Sequence, residues 1–111
     1  MLFPDNFNIW LCSEPVDMRK QINGLSVIVA DKFCKNKNIG DLFIFYNKNR
    51  SRIKILFYHY NGYCALQKIL DKGIFKIPKI LNTHMELNKN QLNRLLEGLY
   101  FSIDKKYEIF Y

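Results

Sequence analysis

Apolar residues recur with a helical spacing in the first third of the chain. They stand three or four positions apart at Ile22, Leu25, Val29 and Phe33. This spacing is typical of an amphipathic helix, and Asp17 is a suitable N-cap for it. The polar stretch after Lys35 contains turn residues that should end the helix. We therefore expect a first helix from Asp17 to about Lys35, with Arg19 and Lys20 in its first turn.

Short apolar runs separated by turn residues dominate the middle of the chain and predict an antiparallel β-meander. The predicted strands are DLFIFYN, RIKILFYHY, YCALQKIL and IFKIP, and the turns between them are NKNRS, Asn61–Gly62 and DKG. In the second run, Ile53, Ile55, Phe57 and His59 alternate with Lys54, Leu56, Tyr58 and Tyr60. We expect the first of these two sets to face the core. An earlier run, FNIWL, is a candidate first strand.

A second helix is predicted in NKNQLNRLLEGL, near the end of the chain. Asn88 and Gln91 have the spacing of a capping box, and Gly98 fits a helix C-cap. The apolar stripe that should face the core is Leu92, Leu95, Leu96 and Leu99. Residues 1–111 are thus expected to form a single α+β domain. Its antiparallel β-meander should have three to four strands, with one helix before it and one after it.

The composition is that of a globular domain, because 49% of the 111 residues are hydrophobic and 15% are aromatic. We expect a cytoplasmic protein, since no apolar run approaches the roughly 18 residues of a membrane span and the N-terminus does not resemble a signal peptide. Cys12, Cys34 and Cys64 are far apart and form no CxxC pair. They are predicted to be buried thiols rather than disulfides or zinc ligands.

Positive charge is concentrated in the middle of the chain. Residues 1–17 carry three acids and no Lys or Arg, whereas residues 18–55 carry nine cations and two acids, a net +7. Residues 56–111 carry eight cations and five acids, a net +3. A basic segment of this kind is typical of a polyanion binder. The alternative is that an AT-rich genome has enriched the surface in lysine without a binding role.

The sequence lacks the usual patterns of enzyme active sites. Its carboxylates are scattered, and Asp17, Asp41, Asp71 and Asp104 each suit a capping or turn position. The five glycines are isolated, so no phosphate-binding loop is predicted, and His59 and His84 are too far apart to suggest a metal pair. We therefore predict no catalytic residues, no metal and no cofactor.

Taken in order, several short motifs resemble one known family. They are VDMRK, GL at 24–25, GDLFIF, RIKIL, NGYC followed by Lys68 and Leu70, Gly73 with IFKIP, and QLNRLLEGL. This succession, covering residues 9–101, resembles the small TnpB accessory protein of the insertion sequence 66 family, which is unrelated to the RNA-guided nuclease of the same name. The chain departs from the family pattern where two tryptophans and an aspartate are usual. Phe57, Tyr58 and His59 stand there, and Ile77 replaces a tryptophan before the late proline.

The resemblance implies a mobile-element protein that works alongside a separate transposase, and it supplies no catalytic residues. Two functions follow as hypotheses. The first is an accessory factor that binds transposon DNA or the DNA–transposase complex through Arg19, Lys20, Arg50, Arg52, Lys54, Lys68 and Lys72. The second is a module that binds the transposase through an aromatic patch at Trp10, Tyr58 and Tyr60. No membrane and no small-molecule substrate are expected as partners.

The pair Arg19–Lys20 has its own two interpretations. Cations are slightly unfavourable in the first turn of a helix, because the helix dipole is positive there. They could serve a phosphate ligand, or Arg19 could form a structural ion pair with Glu14, Asp17 or Asp41.

Overall fold

The computed structural model describes residues 7–32, 41–80 and 84–103. Within these ranges the elements are β1 (Ile9–Cys12), α1 (Ile22–Lys32), β2 (Leu42–Tyr46), β3 (Arg52–His59), β4 (Gly62–Ile69), β5 (His84–Leu87) and α2 (Lys89–Leu96). The predictions for Phe33, Cys34, Lys35 and the tail after residue 103 lie outside the described residues.

The five strands form one mixed sheet in the order β4-β3-β2-β1-β5. Strands β2, β3 and β4 make the predicted meander, but β1 is parallel to β2 and β5 is antiparallel to β1. The α+β class is confirmed, whereas the purely antiparallel sheet of three to four strands is wrong. A parallel pair needs a long crossover connection, and the segment containing α1 supplies it between β1 and β2.

The predicted strand IFKIP is not a member of the sheet ladder. Phe75 and Ile77 are instead buried against one face of the sheet, where they join the side chains of α2. The fifth strand, β5, was not predicted. Its four residues are too short a run to give a clear periodic signal, and they form a strand because β1 offers a free edge.

The sheet is buried on both faces, which differs from the single core face expected from β3. One face carries Ile9, Ile44, Ile55 and their neighbours, and it is covered by α2 and residues 75–77. The opposite face carries Phe43, Phe45 and Leu56, and α1 covers it with Leu25 and Val29. The central strand β2 is buried at every position, as expected for a strand packed on both sides.

Helix α1 begins five residues later than predicted. Residues 17–20 form a tight turn, in which the Lys20 amide donates to the Asp17 carbonyl at 3.0 Å and the Arg19 amide donates to the Asp17 carboxylate at 2.9 Å. Asp17 therefore closes this turn instead of capping the helix. In the described ranges, neither helix has both the length and the apolarity needed to cross a bilayer.

Helix α2 has the ends that its sequence predicts. The Asn88 side chain accepts from the Gln91 amide and the Gln91 side chain accepts from the Asn88 amide, each at 2.8 Å, so the capping box is confirmed. At the other end, the Gly98 and Leu99 amides donate to the Leu95 and Arg94 carbonyls in a Schellman arrangement. The predicted stripe is shorter than expected, because Leu99 lies beyond the helix and is 42% exposed.

Candidate nucleic-acid interface

The turn between β2 and β3 presents cations on a rigid scaffold. The Asn47 side-chain oxygen accepts from the Ser51 and Arg52 amides at 2.9 and 3.0 Å, and its side-chain nitrogen donates to the Ser51 hydroxyl at 3.0 Å. The Arg50 amide donates to the Asn47 carbonyl at 2.9 Å. Arg50 itself has φ 58, a left-handed conformation that L-residues other than Asn and Asp seldom adopt.

Hydrogen bonds join this turn to two other loops. The Leu70 amide donates to the Ser51 carbonyl, and the Phe75 amide donates to the Arg50 carbonyl, so the loop 71–74 lies against the turn. On the other side, the Val16 amide donates to the Tyr46 carbonyl at the end of β2. Residues 17–20, 48–52 and 71–73 therefore meet at one end of the sheet, which we call the basic end.

The basic end is strongly cationic. Its cations are Arg19, Lys20, Lys48, Arg50, Arg52 and Lys72. Two acids, Asp17 and Asp71, lie in the same segments, so six cations minus two acids leave a net charge of +4. Five of these cations were predicted as candidates. Lys48 was missed, although its position inside the predicted NKNRS turn was a sufficient signal.

Lys54 is buried beneath this end and is not part of its surface. Only 7% of the residue is exposed, and its ammonium donates to the carbonyl oxygens of Met18 at 2.8 Å and Lys20 at 2.9 Å. Burial of an ammonium is costly unless its protons are bonded. Lys54 therefore holds the 17–20 turn in place, and its burial removes it from the surface that a nucleic acid could contact.

Arg19 forms an ion pair with Asp17. Its Nε lies 3.0 Å and its Nη2 2.6 Å from the same carboxylate oxygen, so two guanidinium nitrogens converge on one carboxylate. The hydrogen bonds from the Arg19 side chain and amide lower the pKa of Asp17 from its ordinary 3.8 to about 2. The Arg19 side chain is nevertheless 91% exposed. An exposed pair of this kind is weak, so a phosphate could compete for the guanidinium.

Lys20 lies over the start of α1 and against Gly24. A Cβ added at Gly24 would come 3.4 Å from the Lys20 Cβ and Cγ, which is ordinary van der Waals contact. Gly24 therefore packs against the aliphatic stem of Lys20. Stems of this kind cover apolar surface while the charged group stays in water.

The Lys68 ammonium is directed to a different part of the molecule. It donates to the Leu96 carbonyl at the C-terminal end of α2, at 2.6 Å. A cation in this position compensates the exposed carbonyls and the negative end of the helix dipole. The structure thus separates Lys68 from the cations of the basic end.

The aromatic residues Trp10, Tyr58 and Tyr60 do not form one exposed patch. Trp10 is half-buried on the α1 face of the sheet and meets His84 edge-on, with ring centroids 5.1 Å apart. Tyr58 is half-buried against Tyr63 on the neighbouring strand, also with ring centroids 5.1 Å apart. Tyr60 alone of the three stands out from the surface, with 77% exposure.

Tyr60 occupies a strained turn between β3 and β4. The expected hairpin is present, but its loop is Tyr60–Asn61, and Gly62 already pairs with His59. The Asn61 amide donates to the His59 carbonyl at 2.7 Å, and Tyr60 between them has φ 54. This three-residue γ-turn with a positive central φ is rare and strained. The bulky residue is therefore held in a conformation that glycine would adopt more easily.

Both histidines lie against aromatic rings. His84 contacts Trp10, and the His59 ring centroid is 4.7 Å from that of Tyr60 in an edge-on arrangement. In the part of the chain that the structure describes, no group of three or more His, Cys, Asp or Glu side chains is placed to hold a metal ion.

Comparison with known proteins identifies the family of the chain. A model of the family described as IS66 Orf2 like protein matches residues 7–106. The uncharacterized protein y4jC of Sinorhizobium fredii is 26% identical over 91 residues, which cover 82% of this chain and 78% of the relative. A second uncharacterized protein of that organism, y4hO, is 29% identical over 94 residues, covering 85% and 82% of the two chains. No solved structure matches. Since the family model covers nearly the whole chain, the protein belongs to the IS66 Orf2-like family, whose members are the TnpB-type accessory proteins of these insertion sequences.

Proposed function

We propose that this transposition-associated protein is a non-catalytic accessory factor that binds nucleic acid through the basic end. The observation that carries the proposal is the set of backbone hydrogen bonds that join residues 70 and 75 to the β2–β3 turn. The Lys54 ammonium attaches the 17–20 turn beneath the same end. Cations from three separate parts of the chain thus lie at one end of the sheet, and a phosphate backbone that contacts this end could meet several of them.

The type of contact follows from the elements that carry the cations. Arg19, Lys48 and Lys72 lie in turns, and Arg52 lies at the start of a strand. In the described ranges, no helix carries this set of cations into a position suited to reading base edges. Contacts from such loops would bind phosphates and position the nucleic acid without selecting its sequence.

The backbone of Arg50 supports a role for its side chain. A left-handed residue other than glycine costs roughly 1–2 kcal/mol, and such residues concentrate at functional sites. Glycine would remove this cost at residue 50. An arginine in this position is therefore a reason to assign a function to its guanidinium.

The test is a titration of duplex DNA at several salt concentrations. We expect the double variant Lys48→Ala with Arg52→Ala to bind more weakly to every DNA sequence. The slope of log affinity against log salt should fall by roughly 1–2, because each lost phosphate contact removes about 0.9 from it.

A control variant with the same change in charge separates this site from a general charge effect. Lys79 and Lys89 are exposed and lie outside the three segments of the basic end. Lys79→Ala with Lys89→Ala should leave the slope nearly unchanged. Equal losses in both double variants would mean that binding depends on net charge alone, and the basic end would then have no special role.

A second function, contact with the transposase, is favoured by Tyr60. A tyrosine that is 77% exposed and held at φ 54 has both the accessibility and the strain of a recognition residue. Tyrosine is also enriched among the residues that dominate protein–protein interfaces. We propose that the Tyr60 turn contacts the transposase of the same element, while the basic end contacts DNA.

The two functions are separable by experiment. Tyr60→Ser should weaken binding to the purified transposase in the absence of DNA and leave the DNA salt slope unchanged. Tyr100→Ser is the matched control, because Tyr100 is 53% exposed and lies outside the β3–β4 turn. If both tyrosine variants bind the transposase as well as the wild type does, the Tyr60 turn is not the contact.

A further inference from the structure

The two edges of the sheet are protected to different degrees. The β5 edge is four residues long, contains Glu86 and leads directly into α2. The β4 edge is eight residues long and pairs with β3 in an unbroken register, without a proline or a bulge. Natural proteins shorten or charge their free sheet edges because an open edge pairs with other strands. By this measure β5 is protected and β4 is not.

The single charge of β4 is directed away from the edge. Lys68 is the only charged residue of the strand, and its ammonium is bonded to the Leu96 carbonyl on the α2 side. Two apolar side chains of the strand remain open to solvent, with Leu66 41% and Ile69 53% exposed. In the described ranges no strand pairs with the outer side of β4. Among the described residues, therefore, nothing pairs with this edge, and two of its exposed side chains are apolar.

We propose that the β4 edge pairs with the β4 edge of a second copy of this chain, in an antiparallel two-fold dimer with Leu66 on the axis. A two-fold axis perpendicular to the sheet keeps each face of one sheet continuous with the same face of the other. This register places Tyr63 opposite the second copy's Ile69, Ala65 opposite its Gln67, and Cys64 opposite its Lys68. Aromatic and β-branched residues opposite each other stabilise paired strands.

The low charge of the edge itself favours a second copy over an acidic partner segment, which would need free cations to bind. The chain carries +7, so two copies repel each other over most of their surfaces. The β4 edge is a place where they can meet with little repulsion, because its one lysine is already bonded within its own chain. The axis at Leu66 also sets the two Lys68 positions four residues apart along the strands, about 13 Å at the usual rise per residue. Closed two-fold dimers are the commonest soluble homo-oligomers.

The experiment measures the mass of the full chain in solution over a range of concentrations, without DNA. We expect the wild-type protein to reach twice its chain mass of 13.3 kDa. Leu66→Lys should raise the dissociation constant by about tenfold or more, since it replaces an apolar contact on the axis by two opposed cations. Leu99→Lys is the matched control, because Leu99 is 42% exposed and lies outside β4. This substitution changes the charge of the chain by the same amount as Leu66→Lys does. It should leave the dissociation constant unchanged.

A charge exchange tests the position of the axis. Leu66→Lys and Leu66→Glu should each be monomeric, and an equal mixture of the two should form heterodimers, because opposite charges then face each other. Circular dichroism of each variant verifies that it is folded, and Ile69→Lys provides a second disruption in the same strand.

The proposal is overturned if the wild type stays monomeric at millimolar concentration. It is also overturned if Leu66→Lys and Ile69→Lys both dimerise as well as the wild type does, or if Leu99→Lys is as disruptive as they are. This inference does not depend on nucleic-acid binding, since no step of the test contains DNA.

Discussion

The Lys54 ammonium donates a hydrogen bond to the Lys20 carbonyl at 2.9 Å, across 34 residues of sequence. A second bond, to the Met18 carbonyl, measures 2.8 Å. Through these two bonds a strand residue of the meander fixes the backbone of the turn that carries Arg19 and Lys20. One buried cation thus positions two exposed ones.

The first prediction concerns this buried ammonium. Lys54→Met keeps most of the apolar stem but loses both hydrogen bonds, so the free energy of unfolding should fall by about 1.5–3 kcal/mol, the usual range for a bond to a charged group. Chemical denaturation measures this change. Lys72→Met, at an exposed position of the basic end, should leave the stability nearly unchanged. If Lys54→Met is as stable as the wild type, the two bonds contribute nothing to the fold.

The sequence predicted the local features of this fold better than its long-range ones. The capping box of Asn88 and Gln91 and the C-cap at Gly98 depend on neighbours within a few residues, and the structure has both. The partner carbonyls of Lys54 lie 34 and 36 residues away, so no local pattern could indicate them. In the sequence of β3, Lys54 alternates with the residues expected to face the core, so the pattern suggested that Lys54 faces solvent. The pattern of β3 alone does not show that helix α1 covers that second face.

The mixed topology was missed for a similar reason. The pairing of β1 with both β2 and β5 depends on contacts between distant segments, and β5 has only four residues. One signal was present: LFIFY is a continuous apolar run, which is typical of a central strand buried on both faces. For the candidate site, five of the six cations of the basic end were identified from the sequence, but the sequence did not show which of the candidate cations are exposed. Lys54 and Lys68 stand among the others in sequence, and only their contacts set them apart.

The second prediction concerns the pH dependence of the Asp17 carboxyl. Its pKa is lowered from 3.8 to about 2, chiefly by the hydrogen bonds from Arg19. The folded protein therefore favours the ionised carboxylate, and the stabilisation is present above 3.8 and is lost as the pH falls through about 2. Carbon-detected NMR titration should give a midpoint near the lower value. Arg19→Gln should raise the midpoint towards 3.8, and an unchanged midpoint would show that the guanidinium is not bound to Asp17 in solution.

The third prediction distinguishes two adjacent leucines of α2. Leu95 is fully buried, whereas Leu96 is only partly buried at the edge of the core. Leu95→Ala should lower the free energy of unfolding by about 2–5 kcal/mol, as in other buried leucine truncations. Leu96→Ala should lower it by less, roughly 1–2 kcal/mol, in proportion to the apolar area that it buries. Equal losses at the two positions would contradict the orientation of the helix.

The fourth prediction compares two glycines. Gly24 lies inside α1, and the atoms nearest to an added Cβ belong to the flexible stem of Lys20. Gly24→Ala should therefore raise the stability by about 0.5–1 kcal/mol, because alanine is the better helix former. Gly98 has φ 78 at the end of α2, so Gly98→Ala should lower the stability by roughly 1–2 kcal/mol. Thermal unfolding of the two variants should shift the melting temperature in opposite directions.

The last prediction is that stability and function conflict at Tyr60. Its φ of 54 is unfavourable for a bulky L-residue, and its side chain is largely in solvent, so it gains little burial in return. Tyr60→Gly relieves the strain but increases the freedom of the unfolded chain, and the net gain in stability should be roughly 0.5–1 kcal/mol. If the side chain binds the transposase, the same variant should bind it more weakly while melting at a higher temperature. Tyr60→Ser serves as the control, because it removes the ring without relieving the backbone, and it should weaken binding without raising the stability. A Tyr60→Gly variant that is less stable than the wild type would show that the turn is not strained, and the structural reason for assigning a function to Tyr60 would be lost.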